Sequence, residues 1–166
     1  NSIPYTNLDR LNGTADSSPT GLAKSRKMYL GLIEYMKTLE NQSINLLFDR
    51  TFFTEEIYCR LRFKEYSFTE IYNELVKKLS ELDFDIYYIT LYLNNENLFK
   101  ERLQRGDKAV VSYAKFDIES SVNQQKIYLK LADEIEKEYK NIKVCRIETG
   151  KDIEKTKVEL KEILRF

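Results

Sequence analysis

Apolar residues along the chain come in two kinds of run, short ones rich in β-branched and aromatic residues and long ones spaced at three and four. The short runs are INLLF at 44–48, IYYITLYL at 86–93 and IKVCRIET at 142–149, and each predicts a strand. The first is apolar at most positions, which predicts a strand covered on both faces. From Lys24 to about Glu40, Met28, Leu32, Tyr35, Met36 and Leu39 recur at helical spacing. Thr54, with Glu55 and Glu56 behind it, reads as the N-cap of a helix running to about Phe63. Ser67 or Thr69 opens a further helix to about Leu82, and others are predicted from Glu96 to Gln104, over 116–139 and from Asp152 onward. Residues 1–23 hold both prolines and the turn-rich NGTADSSPTG, a loop over a site or a flexible edge. Strands alternating with helices predict an α/β layered fold, and 166 residues predict one domain.

Charge and composition narrow the chemistry. Lysine plus arginine and aspartate plus glutamate number 27 each, so no overall field draws the chain to nucleic acid or to a membrane surface, and an anionic ligand needs a local cluster. There is no histidine, and Cys59 and Cys145 stand far apart. That composition excludes the usual zinc sites and every histidine-based triad or general base, and it fits a reducing cytoplasm. No apolar run approaches the roughly 18 residues that span a bilayer. The two cysteines read as inert core thiols.

In a parallel sheet, ligands bind at the carboxyl ends of the strands, so the residues found there carry information. INLLF runs straight into Asp49 and Arg50, and the helix after the second strand carries ERLQRGDK, with Arg102 and Arg105 on one face. A carboxylate able to hold a hydrated magnesium ion, an arginine able to fork onto phosphate oxygens, and two more arginines on a lid-like segment are what phosphoryl transfer requires. Plainer roles exist for each. Asp49 and Arg50 could form a surface ion pair at a turn, and Arg102 and Arg105 could line a solvated helix face with Glu101 as partner. Phe52 and Phe53 read as one ring inward and one toward a ligand, Tyr58 as core or ligand contact, and Arg60 and Arg62 as surface charge.

FDRTFFTEEIY, residues 48–58, resembles the signature of thymidylate kinases and related deoxynucleoside and deoxynucleotide kinases, many of them in phages: Asp-Arg, three residues, Ser or Thr, three residues, Tyr. The order downstream is similar too. IYYITLYLNNENLFKERLQRGDK looks like the strand, polar turn and helix that lead into the arginine-bearing lid, here about 102–115. QQKIYLKLADEI resembles the long helix after the lid, and KVCRIETGKDIEKTKVELKEIL the last strand and helix. The resemblance covers roughly residues 42–166. It implies a P-loop nucleotide-kinase fold with a parallel sheet, ATP and magnesium, a nucleotide or nucleoside as substrate, a cytoplasmic setting (the host's, if phage-encoded), and a homodimer through long helices. Residue by residue, it implies Asp49 as the acid linked to magnesium through water, Arg50 on the acceptor phosphate, Phe53, Thr54 and Tyr58 at the acceptor, and Arg102 and Arg105 as the lid arginines. Thr54 stands where serine is commoner.

One element of that family is missing from the chain. The family's central strand and its GxxxxGK[ST] loop, whose amides and lysine hold the donor phosphates, have no counterpart among the five glycines. The chain opens at a stretch resembling the region just past the loop's helix. The expectation is therefore a segment of a longer kinase, the alternatives being another segment in the central slot or a relative that has lost catalysis.

Overall fold

In the computed structural model, residues 16–103, 117–150 and 152–164 are described. They form two compact units, Asn1–Asp85 and Ile86–Phe166.

The described part of the first unit is helical. α1 spans Pro19–Lys37, α2 Phe52–Arg60 and α3 Thr69–Ser80. α1 starts before the predicted Lys24 because Pro19 occupies its first turn, where a proline's fixed φ suits the helix and its missing N–H costs nothing. Its buried face is Gly21, Ser25, Tyr29, Ile33 and Met36, a spacing of four and then three that leaves Tyr35 54% exposed. The core is an aromatic cluster. Tyr29 meets Phe52 and Phe68 edge-on, each at 5.9 Å between ring centroids, and Phe52 also lies 6.4 Å from Tyr72 of α3. Leu75, Val76 and Leu79 of α3 are buried beside it. Such ring pairs add about 0.5–1.5 kcal/mol each beyond their area burial.

Two readings of this unit need correction. Residues 44–48 pair with no strand among the described residues, and they are not covered on both faces: Ile44, Leu46 and Phe48 are half-buried while Asn45 and Leu47 are exposed, Leu47 at 60%. The alternation is the two-residue period of extended backbone, but strand structure requires a hydrogen-bonding neighbour that apolar composition cannot supply. Thr54 is not an N-cap. The N-cap is Thr51, three residues earlier, whose backbone is extended, and Thr54 is buried within the helix.

The second unit is built on a parallel pair. β1, Ile86–Tyr92, and β2, Ile142–Glu148, run in register from Ile86 opposite Ile142 to Tyr92 opposite Glu148. Parallel neighbours require a long crossover, and here it contains α4, Glu96–Leu103, and α5, Ile118–Glu138. α5 packs on both strands and buries Leu131, Ala132 and Ile135; α6, Ile153–Leu164, packs on β2. Caps place the helix starts. Asp117 accepts from the Ser120 amide at 2.6 Å to open α5, and Asp152 accepts from the amides of Glu154 and Lys155 to open α6, as its position predicts. The mixed helix and parallel-strand composition agrees with an α/β class. Among the described residues no helix is long and apolar enough to cross a membrane.

Leu75 is fully buried, so Leu75→Ala should lower the unfolding free energy by about 2–5 kcal/mol in urea denaturation. The same truncation at exposed Leu47 should change it by no more than about 0.5 kcal/mol.

Candidate functional site

Residues proposed for chemistry fall in both units, and each group has its own local geometry. In the first unit the chain turns sharply between the apolar run and α2. Arg50 has φ 63, in the left-handed region, where a non-glycine residue costs about 1–3 kcal/mol. Asn41 and Arg62 also have positive φ, but both are ordinary. Asparagine tolerates that region, and Arg62 follows the Leu61 C-cap of α2, where helices commonly end left-handed. Arg50 has neither excuse. Asp49 and Arg50 are both exposed, and among the described residues neither makes a hydrogen bond or ion pair, so the surface ion pair offered as their plainer role is not formed there.

The ring residues behind this corner divide. Phe52 is buried, and Phe53, stacked on it at 4.4 Å and edge-on to Tyr72 at 5.9 Å, is half-buried. Phe52 is thus the inward ring of the pair, and Phe53 keeps part of its surface open. Tyr58 is half-buried against Phe63 at 5.6 Å. Thr54 lies inside the unit at 6% exposure.

Sequence reasoning missed what lies next to Thr54. Glu55 and Glu56 were read as first-turn acids complementing the helix dipole, yet they are 3% and 0% exposed. Glu55 accepts from the Tyr66 hydroxyl and lies 3.6 Å from the Lys64 ammonium. Glu56 Oε1 accepts from Arg60 Nε at 2.8 Å and from the Thr69 hydroxyl, at the start of α3, at 3.0 Å. Its Oε2 is buried with no hydrogen-bond partner among the described residues. Arg60, expected on the surface, is thus drawn inward. The spacing of Glu56 and Arg60, i to i+4, is a signal that the sequence does carry; the burial is not. The cluster also tunes its neighbours. Burial, then the hydrogen bond to Glu55, raises the Tyr66 phenol well above its ordinary range. Burial first, then the charges of Glu55 and Glu56, pushes the Cys59 thiol up to about 12, a direction that disfavours the reactive thiolate, although the side chain is half-buried rather than in the core.

In the second unit the carboxyl ends of β1 and β2 are closed by side chains. The Thr149 amide donates to the Tyr92 carbonyl at 2.8 Å and the Thr149 hydroxyl to the same oxygen at 3.1 Å. From α4, Arg102 Nη2 donates to the Thr149 carbonyl at 3.2 Å. From α5, Gln125 accepts from the Leu93 amide at 2.7 Å and donates to the Leu93 carbonyl at 2.9 Å. Arg102 is therefore tied to the strand ends while remaining exposed, and Gln125 joins the rim as a residue whose role its sequence position did not reveal. Arg105 and residues 104–115 of the expected lid lie outside the described residues.

As for a metal, no group of three or more metal-binding side chains occurs among the described residues. An exposed carboxylate such as Asp49, with no ion-pair partner among the described residues, has the chemistry for the less demanding role of holding a magnesium ion through its water shell.

No protein-family model, curated protein or solved structure matches the chain.

Removing one partner of a buried pair leaves an uncompensated charge, so Glu56→Ala should cost about 3–5 kcal/mol in chemical denaturation, and Glu56→Gln, which keeps an acceptor for Thr69, clearly less. At pH 8 the Cys59 thiolate fraction falls by roughly three powers of ten from that of an ordinary thiol. Iodoacetamide should accordingly label Cys59 far more slowly in the folded protein than in urea, as peptide mass mapping would show.

Proposed function

We propose that the chain belongs to a nucleotide kinase that transfers the γ-phosphoryl group of ATP to a deoxynucleoside monophosphate, thymidylate being the first candidate. The observation that carries the reading is Arg50. An arginine held in a costly backbone conformation, exposed and with no hydrogen-bond or ion-pair partner among the described residues, immediately after an aspartate and before the FFTEEIY helix, is a cation suited to an anion. Phe53 and Tyr58 offer ring surface on the same helix. Arg102, tied to the carboxyl ends of a parallel pair, adds positive charge at the kind of rim where such sheets bind nucleotides.

In this reading Arg50 forks onto the acceptor phosphate, holds it and aims one of its oxygens at the γ-phosphorus. That oxygen forms the new P–O bond as the bond to the β-phosphate oxygen breaks, giving ADP and a deoxynucleoside diphosphate. The kinase resemblance assigns to Arg102 the neutralising of charge that builds on the transferred group. A magnesium ion, held through water by Asp49, would supply further charge neutralisation at the phosphates. No proton has to leave a phosphate acceptor that is already ionised, so the chemistry has no need of a histidine. Positioning and electrostatics carry it.

The test is kinetic, on the full chain together with any residues encoded upstream. Arg50→Ala should raise the KM for the monophosphate about 10- to 100-fold and lower kcat as well, since a bidentate guanidinium both binds and orients. Lysine at position 50 should recover only part of this, because a point charge cannot fork. Arg102→Ala should act mainly on kcat, lowering it by about 100-fold. Wild-type KM and kcat in Arg50→Ala would refute the assignment, and a nucleoside accepted with KM indifferent to Arg50 would shift it to a nucleoside kinase.

A further inference from the structure

We infer that Gln125 is a positioning residue for Arg102, and that it works by taking the place of a neighbouring strand at one residue of β1. The inference rests on the kinase reading above only for the role given to Arg102.

The argument starts from strand geometry. In extended backbone a residue's N–H and C=O point to the same side, and those of the next residue to the other. The Tyr92 carbonyl faces β2, because it accepts from the Thr149 amide. The N–H and C=O of Leu93 therefore face away from β2, toward the outer edge of β1, where no strand pairs among the described residues. Leu93 is buried, and buried backbone groups must find partners. Gln125 supplies both. Its carbonyl oxygen accepts from Leu93 N–H at 2.7 Å and its amide nitrogen donates to Leu93 C=O at 2.9 Å. A glutamine side chain ends in the same donor and acceptor that a peptide unit presents, so one residue of a missing neighbour is reproduced. No other common side chain except asparagine carries that pair, and asparagine is one methylene shorter.

What this fixes lies downstream. Two residues after Leu93, the Asn95 side chain accepts from the Asn97 amide at 2.9 Å and its carbonyl from the Leu98 amide at 3.1 Å, which starts α4. α4 then carries Arg102 to the Thr149 carbonyl, and Thr149 returns to Tyr92, the residue before Leu93. The path Gln125, Leu93, Asn95, Arg102, Thr149, Tyr92 closes on itself within one unit. α4 also packs on α5, so the competing explanation is that packing alone holds Arg102 in place.

Gln125→Leu separates the two, since it keeps bulk and apolar packing while removing both bonds. Nuclear magnetic resonance on the full chain reads the result without turnover. The Leu93 amide should exchange about tenfold faster, and the Thr149 carbonyl shift should move to the value seen in Arg102→Ala. In turnover assays kcat should fall about 10- to 100-fold, as for a misplaced catalytic group, with acceptor KM within about twofold of wild type. The Gln125→Leu, Arg102→Ala double variant should be no slower than Arg102→Ala alone. If Gln125→Leu loses its folded spectrum, Gln125→Glu serves instead. It keeps the acceptor for Leu93 N–H but opposes its carbonyl, and it should give the same changes in smaller measure. A Thr149 shift and kcat unchanged from wild type, or losses that add in the double variant, would overturn the inference in favour of packing. An inactive wild-type enzyme would refute the kinase reading instead, leaving the Thr149 shift to decide the role of Gln125.

Discussion

The second unit depends on a parallel pair of strands having to end. A ladder satisfies backbone groups only while both strands continue, and at the carboxyl ends of β1 and β2 it stops with Leu93 and Thr149 still buried. Three side chains complete the hydrogen bonding: Thr149 reaching back to Tyr92, Gln125 covering Leu93, and Arg102 holding the Thr149 carbonyl. Each comes from a different element, and so the rim also fixes where α4 and α5 sit relative to the strands. The requirement that no buried peptide group go unpaired thereby delivers an arginine to the edge where such sheets take ligands.

The first unit meets a different constraint. Its core is aromatic around Phe52, Tyr29 and Phe68, yet two glutamates of the same unit are buried as well. They are tolerated because Lys64 and Arg60 balance their charge and Tyr66 and Thr69 donate to them. Burial of this kind seldom adds net stability over an apolar equivalent. Its effect is to lock the turn between α2 and α3, and so to hold the amino end of α2, from which Asp49 and Arg50 project.

Much of this was legible along the chain, and the failures have physical causes. The strands at 86–93 and 142–149 and the helices around them stood out because their periodicity and caps, Asp152 above all, agree. INLLF failed as a strand among the described residues because pairing is not a property of one segment. Glu55 and Glu56 looked like solvated acids because local pattern cannot distinguish a first-turn carboxylate facing water from one facing Tyr66. Gln125 was invisible for a related reason: its value lies in meeting a backbone group 32 residues earlier. Asp49 and Arg50 stood out by their abrupt position after an apolar run; that Arg50 takes a left-handed backbone is a property that no local pattern announced.

The proposal that Arg50 and Arg102 serve transfer of a phosphoryl group between nucleotides has a direct test. Phosphorus-31 resonance on the full-length protein with ATP, magnesium and thymidylate observes that transfer directly. The account predicts that the thymidylate monophosphate signal declines in step with the γ-phosphate of ATP while the two-phosphate signals of ADP and the diphosphate product rise in equal amounts. Loss of the γ-phosphate to inorganic phosphate alone, or no change with any deoxynucleoside monophosphate, would contradict it.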